Sequence, residues 1–305
     1  MNVQVIPYKK LTEYQIDRIN ELTQKMTLYD QIWYLAILSE ASFAAFIYGD
    51  YQTILMVPYK VKWGIRYATL PNFIQKLNFI GTTEGQSLIL DKLVDYFKFG
   101  EISFDSEIDL EFKKELFDNM RKRSNYALCL DSNYNELRKK FTKNHYRNIE
   151  KTTEVSMKLV KHSDDLIETF IKEKISKFTP DELNKIKRCI IKLTSNLEAK
   201  DYIKVIGAFE NNFCVASALF LEFNNRIYYL LGSSVKSNLE LTNKGLFAIF
   251  DWVIQTHSNS DKTIDFEGSD IPGIARFFKG FGARLETYSS IKWNRLPFPL
   301  NIIKK

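Results

Sequence analysis

Cysteine is scarce in this chain of 305 residues: Cys129, Cys189 and Cys214 are odd in number and widely spaced. No Cys-x-x-Cys pair and no Cys/His cluster occurs, so neither a disulfide framework nor a zinc site is expected. Reduced thiols fit the cytoplasm. Glycine (12) and proline (7) are also few, which excludes fibrous and low-complexity classes. The three histidines have no Ser, Cys or Asp partners in a triad order, so triad-based nucleophilic catalysis is not expected. No run of about 18 apolar residues is present, as a membrane span requires. The N-terminal MNVQVIPYKKLTEYQ lacks the apolar region of a signal peptide. The expectation is a cytoplasmic protein without a membrane span or bound metal.

What is present is an ordinary globular composition. Hydrophobic residues reach 45% and charged residues 26%, enough apolar material for a packed core. Aromatics are rich at 14%, with 23 Phe and 16 Tyr. Lys and Arg outnumber Asp and Glu by 43 to 37. This excess attracts anionic partners but is too diffuse to define a nucleic-acid surface.

The second half has the cleaner pattern. Val155–Val160 alternates as a strand, and Ser163–Lys177 reads as a helix. Thr179-Pro180-Asp181-Glu182 has the cap, first-turn proline and acidic residues of a helix start. Three strands follow over 202–209, 213–222 and 226–231, separated by Asn211-Asn212 and Asn224-Asn225, whose asparagines tolerate positive φ. A helix over Thr242–His257, a short strand at Thr263–Phe266, a helix over Ile271–Lys279 and a strand over Arg284–Trp293 complete the order.

The first half repeats it. Val3–Ile6, Ser42–Tyr48, Tyr51–Tyr59, Gly64–Thr69, Glu101–Phe104 and Tyr126–Leu130 read as strands. Thr12–Met26, Gln31–Leu38, Gln86–Phe99 and Asp109–Arg121 read as helices. A matched order of this length suggests a duplication. The expected boundary lies near residue 135, giving domains 1–135 and 136–305, joined by a helical, basic stretch over Asn133–Glu154.

Several residues are candidates for chemistry. Asp265-Phe266-Glu267-Gly268-Ser269 ends a strand just before the helix start at Ile271-Pro272. Backbone N–H groups at such a place suit an anionic oxygen or a phosphate, and Gly268 allows close approach. A plain capped turn is the competing account. Asp265 and Glu267, two apart on a strand, share a face, and one could deprotonate an amine; either could equally cap the following helix. In Arg138–Lys151, the residues Lys140, Lys143, Arg147 and Lys151 fall on one side at helical spacing. That side could hold RNA phosphates or a nucleotide-linked sugar pyrophosphate, or be a solvated charged face. Tyr228 and Tyr229 point to opposite faces of one strand, so either a cleft or the core can claim them.

The order of elements resembles the GNAT acyltransferase fold. Asp265–Ser269 followed by Gly273-Ile274-Ala275-Arg276-Phe277-Phe278-Lys279-Gly280-Phe281-Gly282 is similar to the DFxG and FKxxFG segments of the Fem-type family. Leu137–Thr152 with Arg147-Asn148, and Tyr228–Ser234, resemble its basic helix and a strand end. Tyr29-Asp30-Gln31, Pro58 and Leu70–Phe73 resemble its first-domain pattern. The resemblance implies an α/β (α+β) fold of two tandem GNAT-like domains, with mixed sheets flanked by helices and a degenerate first domain. It implies an N-acyltransferase moving an acyl or aminoacyl group from a thioester or tRNA ester to an acceptor amine, such as that of a peptidoglycan precursor.

The implied donor is acyl-CoA or aminoacyl-tRNA, with no tightly bound cofactor. Lys279 and Glu267 are the implied catalytic residues. Arg147, Tyr228, Tyr229, Ser233, Asp265, Gly268, Ser269 and Phe281 are the implied substrate contacts. Lys279 would neutralise charge on the reacting carbonyl or a phosphate, although a lysine closing a helix before Gly280 is also ordinary. The glycine-rich pyrophosphate loop of acetyl-CoA enzymes is absent after Gly232-Ser233-Ser234, and no long heptad hairpin supplies a coiled-coil arm. A non-catalytic module that binds a peptide or sugar precursor is the alternative.

Overall fold

Two hairpins show why the strands form where they do. Phe43–Tyr48 is buried at every position, as are the first six residues of Thr53–Lys62, the pattern of strands covered on both faces. Asn211, Asn212, Asn224 and Asn225 all adopt positive φ, so both asparagine pairs turn the chain as expected. Thr12 with Gln15, and Thr179 with Glu182, form reciprocal capping boxes at two helix starts.

The computed structural model describes residues 2–105, 109–160, 179–235 and 244–303. The expected Ser163–Lys177 helix lies outside them. Among the described residues the strands are β1 (Val3–Pro7), β2 (Phe43–Tyr48), β3 (Thr53–Lys62), β4 (Ile65–Thr69), β5 (Ile80–Gly81), β6 (Phe99–Asp105) and β7 (Asn119–Cys129). They continue with β8 (Ser156–Val160), β9 (Ile203–Glu210), β10 (Phe213–Phe223), β11 (Arg226–Ser234), β12 (Thr263–Asp265) and β13 (Arg284–Asn294).

Contacts divide the chain into Met1–Arg123 with Thr287–Lys305, and Ser124–Glu286. The first unit has the strand order β1-β2-β3-β4-β6-β13, with β4 and β6 parallel. The second has β8-β9-β10-β11-β12-β7, with β11 and β12 parallel. The two orders match position by position, except that the last strands are exchanged. β7 follows the first half in sequence but pairs with β12, and β13 follows the second half but pairs with β6. This corrects the boundary at 135. The chain changes units inside β7, at Arg123/Ser124, and inside β13, at Glu286/Thr287, rather than in a linker.

A second correction concerns Asp109–Arg121, which is not one helix. A short 3-10 turn over Glu111–Leu116 is broken by non-helical angles at Lys113, and β7 begins at Asn119. The Asp118 N–H donates to the Lys292 carbonyl at 2.8 Å, so strand pairing overrides local helix preference.

The first unit's exchanged strand is held by Trp293. Its side chain is fully buried, and Nε1–H donates to the Phe97 carbonyl at 2.6 Å. Gly100 is its cross-strand partner; a Cβ there would sit 2.3 Å from the indole. Trp293→Ala should therefore cost about 3–5 kcal/mol, read as a lower denaturation midpoint in urea.

Candidate active site

In the second unit, parallel pairing between β11 and β12 covers Arg226–Thr263, Ile227–Ile264 and Tyr228–Asp265, and then stops. β11 runs on to Ser234, while the Phe266 N–H turns to the Tyr126 carbonyl at 3.0 Å. At the point of parting, β11 bulges. Its register with β10 jumps from Tyr229–Phe220 to Leu231–Leu219, which leaves Leu230 without a partner. A bulge at such a place re-aims backbone groups. Among the described residues, Tyr229–Ser234 pairs with a strand on the β10 side only. The first unit differs at the matching place. There the Leu77 N–H donates to the Ser103 carbonyl at 2.8 Å, and Leu77 accepts the Asp105 N–H at 3.2 Å, so its own chain fills the edge of β6.

The turn after β12 is built on one carboxylate. Asp265 is wholly buried; Oδ2 accepts from Arg226 Nε at 2.7 Å and Oδ1 accepts the Glu267 N–H at 2.9 Å. Arg226 Nη2 also donates to Glu286 Oε2 at 2.8 Å, which takes a further bond from Asn125 Nδ2 at 3.1 Å. Burial alone would lower the Arg226 pKa, but Asp265 and Glu286 more than reverse that. Asp265 is thus an internal anchor rather than a substrate contact.

Nor do Asp265 and Glu267 share a strand face. β12 ends at Asp265, and Glu267 and Gly268 have φ of 59° and 70°. A left-handed non-glycine residue costs roughly 1–2 kcal/mol, and the Asp265 bond to its N–H helps hold it. Ser269 Oγ accepts the Ile271 N–H at 3.0 Å, and Asp270 Oδ1 accepts the Ser124 N–H at 2.9 Å. Glu267, Gly268 and Ser269 are partly exposed on this turn.

Lys279 ends the Pro272–Lys279 helix and is exposed, its ammonium 5.5 Å from the Tyr126 ring centroid. Because the Tyr126 carbonyl also receives the Phe266 N–H, one residue joins the lysine to the turn that bears Glu267.

Phe281 is fully buried in an aromatic cluster, with its centroid 4.5 Å from His145 and 5.3 Å from both Phe141 and Phe277. It belongs to the core. Tyr228 is buried as well. Tyr229 packs on Phe220, Phe250 and Phe278, and burial pushes its hydroxyl pKa up. Ser233 is buried at the end of β11, opposite Ser217, whose hydroxyl is buried without a hydrogen-bond partner among the described residues.

The basic stretch is two helices, Tyr134–Lys139 and Lys143–Glu150, broken before the Thr142 cap. Lys140 therefore does not continue the row of Lys143 and Arg147. Arg147 is exposed on the second helix. That helix interlocks with Phe277–Gly280 through His145. The Nε2–H of His145 donates to the Phe277 carbonyl at 2.8 Å, so its Nδ1 accepts the Thr142 hydroxyl at 2.8 Å. The Thr142 N–H donates to the Gly280 carbonyl at 2.9 Å, and a Cβ on Gly280 would lie 1.8 Å from the imidazole. Sequence reasoning missed Arg226, Glu286, Tyr126 and His145. Each acts through a partner distant in the chain, so no local spacing reveals it.

Among the described residues, no group of His, Cys, Asp and Glu could hold a metal ion, and no helix is long and apolar enough to cross a membrane.

The fold is that of known structures at very low identity. FemX matches with a TM-score of 0.61 at 12% identity, covering 100% of both chains. The C-terminal domain of a putative lysylphosphatidylglycerol synthetase from Agrobacterium fabrum matches at 0.55 and 8% identity, over 94% of each chain. L-PGS from Bacillus licheniformis matches at 0.53 and 9%, over 96% of this chain and 95% of that one. No family model and no curated protein matches the sequence. The expected mixed α/β architecture, with mixed sheets flanked by helices, is the one observed, and its fold is similar to that of FemX.

Arg226→Met would leave the Asp265 carboxylate buried and uncompensated, and should cost about 3–5 kcal/mol in chemical denaturation. Burial lowers the His145 pKa below its ordinary 6.5. A depressed histidine contributes stability above its unfolded pKa and loses it as pH falls through the folded value. The midpoint of unfolding should therefore drop below pH 6.5, and the drop should shrink in His145→Gln.

Proposed function

We propose that this chain is an N-acyltransferase, moving an acyl or aminoacyl group from a thioester or tRNA ester to an acceptor amine. The observation that carries this reading is the parting of β11 from β12 beside the Glu267 turn, with a bulge at the same level. A likeness of fold to FemX supports it. In this reading the donor carbonyl lies beside β11 just past the end of its pairing with β12, at the level of the bulge, where backbone N–H groups oppose charge growing on oxygen. Glu267 accepts the amine proton as the new N–C bond forms. The tetrahedral intermediate then collapses with cleavage of the C–S or C–O bond, and the proton passes to the departing sulfur or ribose oxygen.

Lys279 supplies positive charge to that intermediate or to a donor phosphate, and Arg147 offers a second cation on the neighbouring helix. Gly268 and Ser269 present the turn's backbone. The acceptor is an amine of a peptidoglycan precursor. Asp265 and Arg226 act only by positioning the turn.

The test supplies acetyl-CoA and alanine-charged tRNA separately, each with UDP-MurNAc-pentapeptide, and follows acceptor mass. One donor should raise it. Glu267→Gln should lower kcat/KM by about 10²-fold or more without shifting Tm, and Lys279→Ala should lower it without loss of fold. Absence of transfer from both donors would overturn the reading.

A further inference from the structure

The first unit carries a surface that the transfer chemistry does not use. The β3–β4 hairpin ends in Lys62-Trp63-Gly64, with Trp63 at φ 52° and 76% exposed. Beside it the segment after β13 presents Phe298, 78% exposed, and Ile302, 57% exposed. Large apolar side chains this open are costly in water, and a cluster of them marks a place that meets something else. Between the two segments lies an apolar cavity of about 220 Å³, lined by Trp63, Ile65, Tyr67, Leu296 and Leu300 among others.

The charge along the two segments has one sign, with Glu101 opposite Lys292 across the sheet and Asp118 accepting the Asn294 N–H as the neighbouring carboxylates. From Tyr59 to Thr69, and from Lys292 to Ile302, the charged residues are Lys60, Lys62, Arg66, Lys292 and Arg295, with no Asp or Glu. The Lys62 ammonium sits 4.6 Å from the Trp63 ring centroid and Lys292 5.9 Å from that of Phe99, so cations lie directly against aromatic faces. Arg295 Nη2 donates to the Leu116 carbonyl at 3.3 Å.

We infer that this face docks the protein on an anionic lipid bilayer. Tryptophan and phenylalanine beside lysines are the side chains that settle at the level of lipid headgroups, with the rings toward the acyl chains and the cations toward phosphates. The cavity between the hairpin and the last helical turn receives an acyl chain end. A protein partner fits less well, because a face on which Lys60, Lys62, Arg66, Lys292 and Arg295 outnumber the neighbouring Glu101 and Asp118 requires an acidic apolar counterpart. An RNA partner does not require Phe298 and Ile302. No spanning helix is involved, and the inference stands whether or not the chain is a transferase.

Co-sedimentation of the purified chain tests this, using vesicles of phosphatidylcholine alone and of phosphatidylcholine mixed with phosphatidylglycerol. The chain should pellet with the mixed vesicles, weakly with the neutral ones, and less as salt rises. Trp63→Ala with Phe298→Ser should reduce vesicle affinity about tenfold or more, as should Lys60→Glu with Lys62→Glu. These residues are exposed, so unchanged circular dichroism and Tm would exclude misfolding as the cause. Overturning results would be failure to pellet with anionic vesicles at low salt, or equal binding by the folded variants. Binding of polyuridine RNA in place of vesicles, or a dimer abolished by Trp63→Ala, would also overturn it.

Discussion

Asp265 has no access to water, and everything around the candidate site follows from how its charge is answered. A carboxylate in such a place must be paired and hydrogen-bonded or it becomes neutral. Arg226 comes from β11 and the Glu267 N–H from the turn beyond β12, so one side chain ties both sides of the parting strands together. The pairing of β11 and β12 ends at the residue that bears it. Below that level the sheet is closed; above it the strands part. The left-handed Glu267 is held at the rim by a group that cannot move without exposing a buried charge.

A second constraint comes from the imidazole of His145. Its ring fills the space where Gly280 lacks a side chain, and its proton satisfies a carbonyl in the last turn of the Pro272–Lys279 helix. The helix carrying Lys279 and the helix carrying Arg147 are thereby fixed to each other. This explains why a short helix of only eight residues can end at a defined place, since helices of that length have little stability of their own.

The sequence made the local grammar legible. Asparagine pairs, capping boxes, the Pro272 start and alternating strands were readable because each depends on residues a few positions apart. The Asp265–Ser269 turn before a helix was readable for the same reason. What could not be read was non-local. Asp265 and Tyr228 looked available for substrate, yet one is an anchor for Arg226 and the other is core, since burial is decided by strands far along the chain. Phe281 stood in a motif and belongs to packing. The helix expected over Asp109–Arg121 fits a charged, helix-prone string, and its failure reflects pairing with residues near 292 that no local rule contains.

The exchange of last strands also sets an order of events during synthesis. Domains commonly complete themselves from the N-terminus as the ribosome delivers the chain. Here the later unit, Ser124–Glu286, has all its residues once Glu286 emerges, whereas the earlier one lacks β13 until residues 287–294 have followed. The half that is translated first is therefore the half that finishes last. Until then the edge of β6 waits for its neighbour, as a strand of bare hydrogen-bonding groups that a chaperone or a stray chain can meet first.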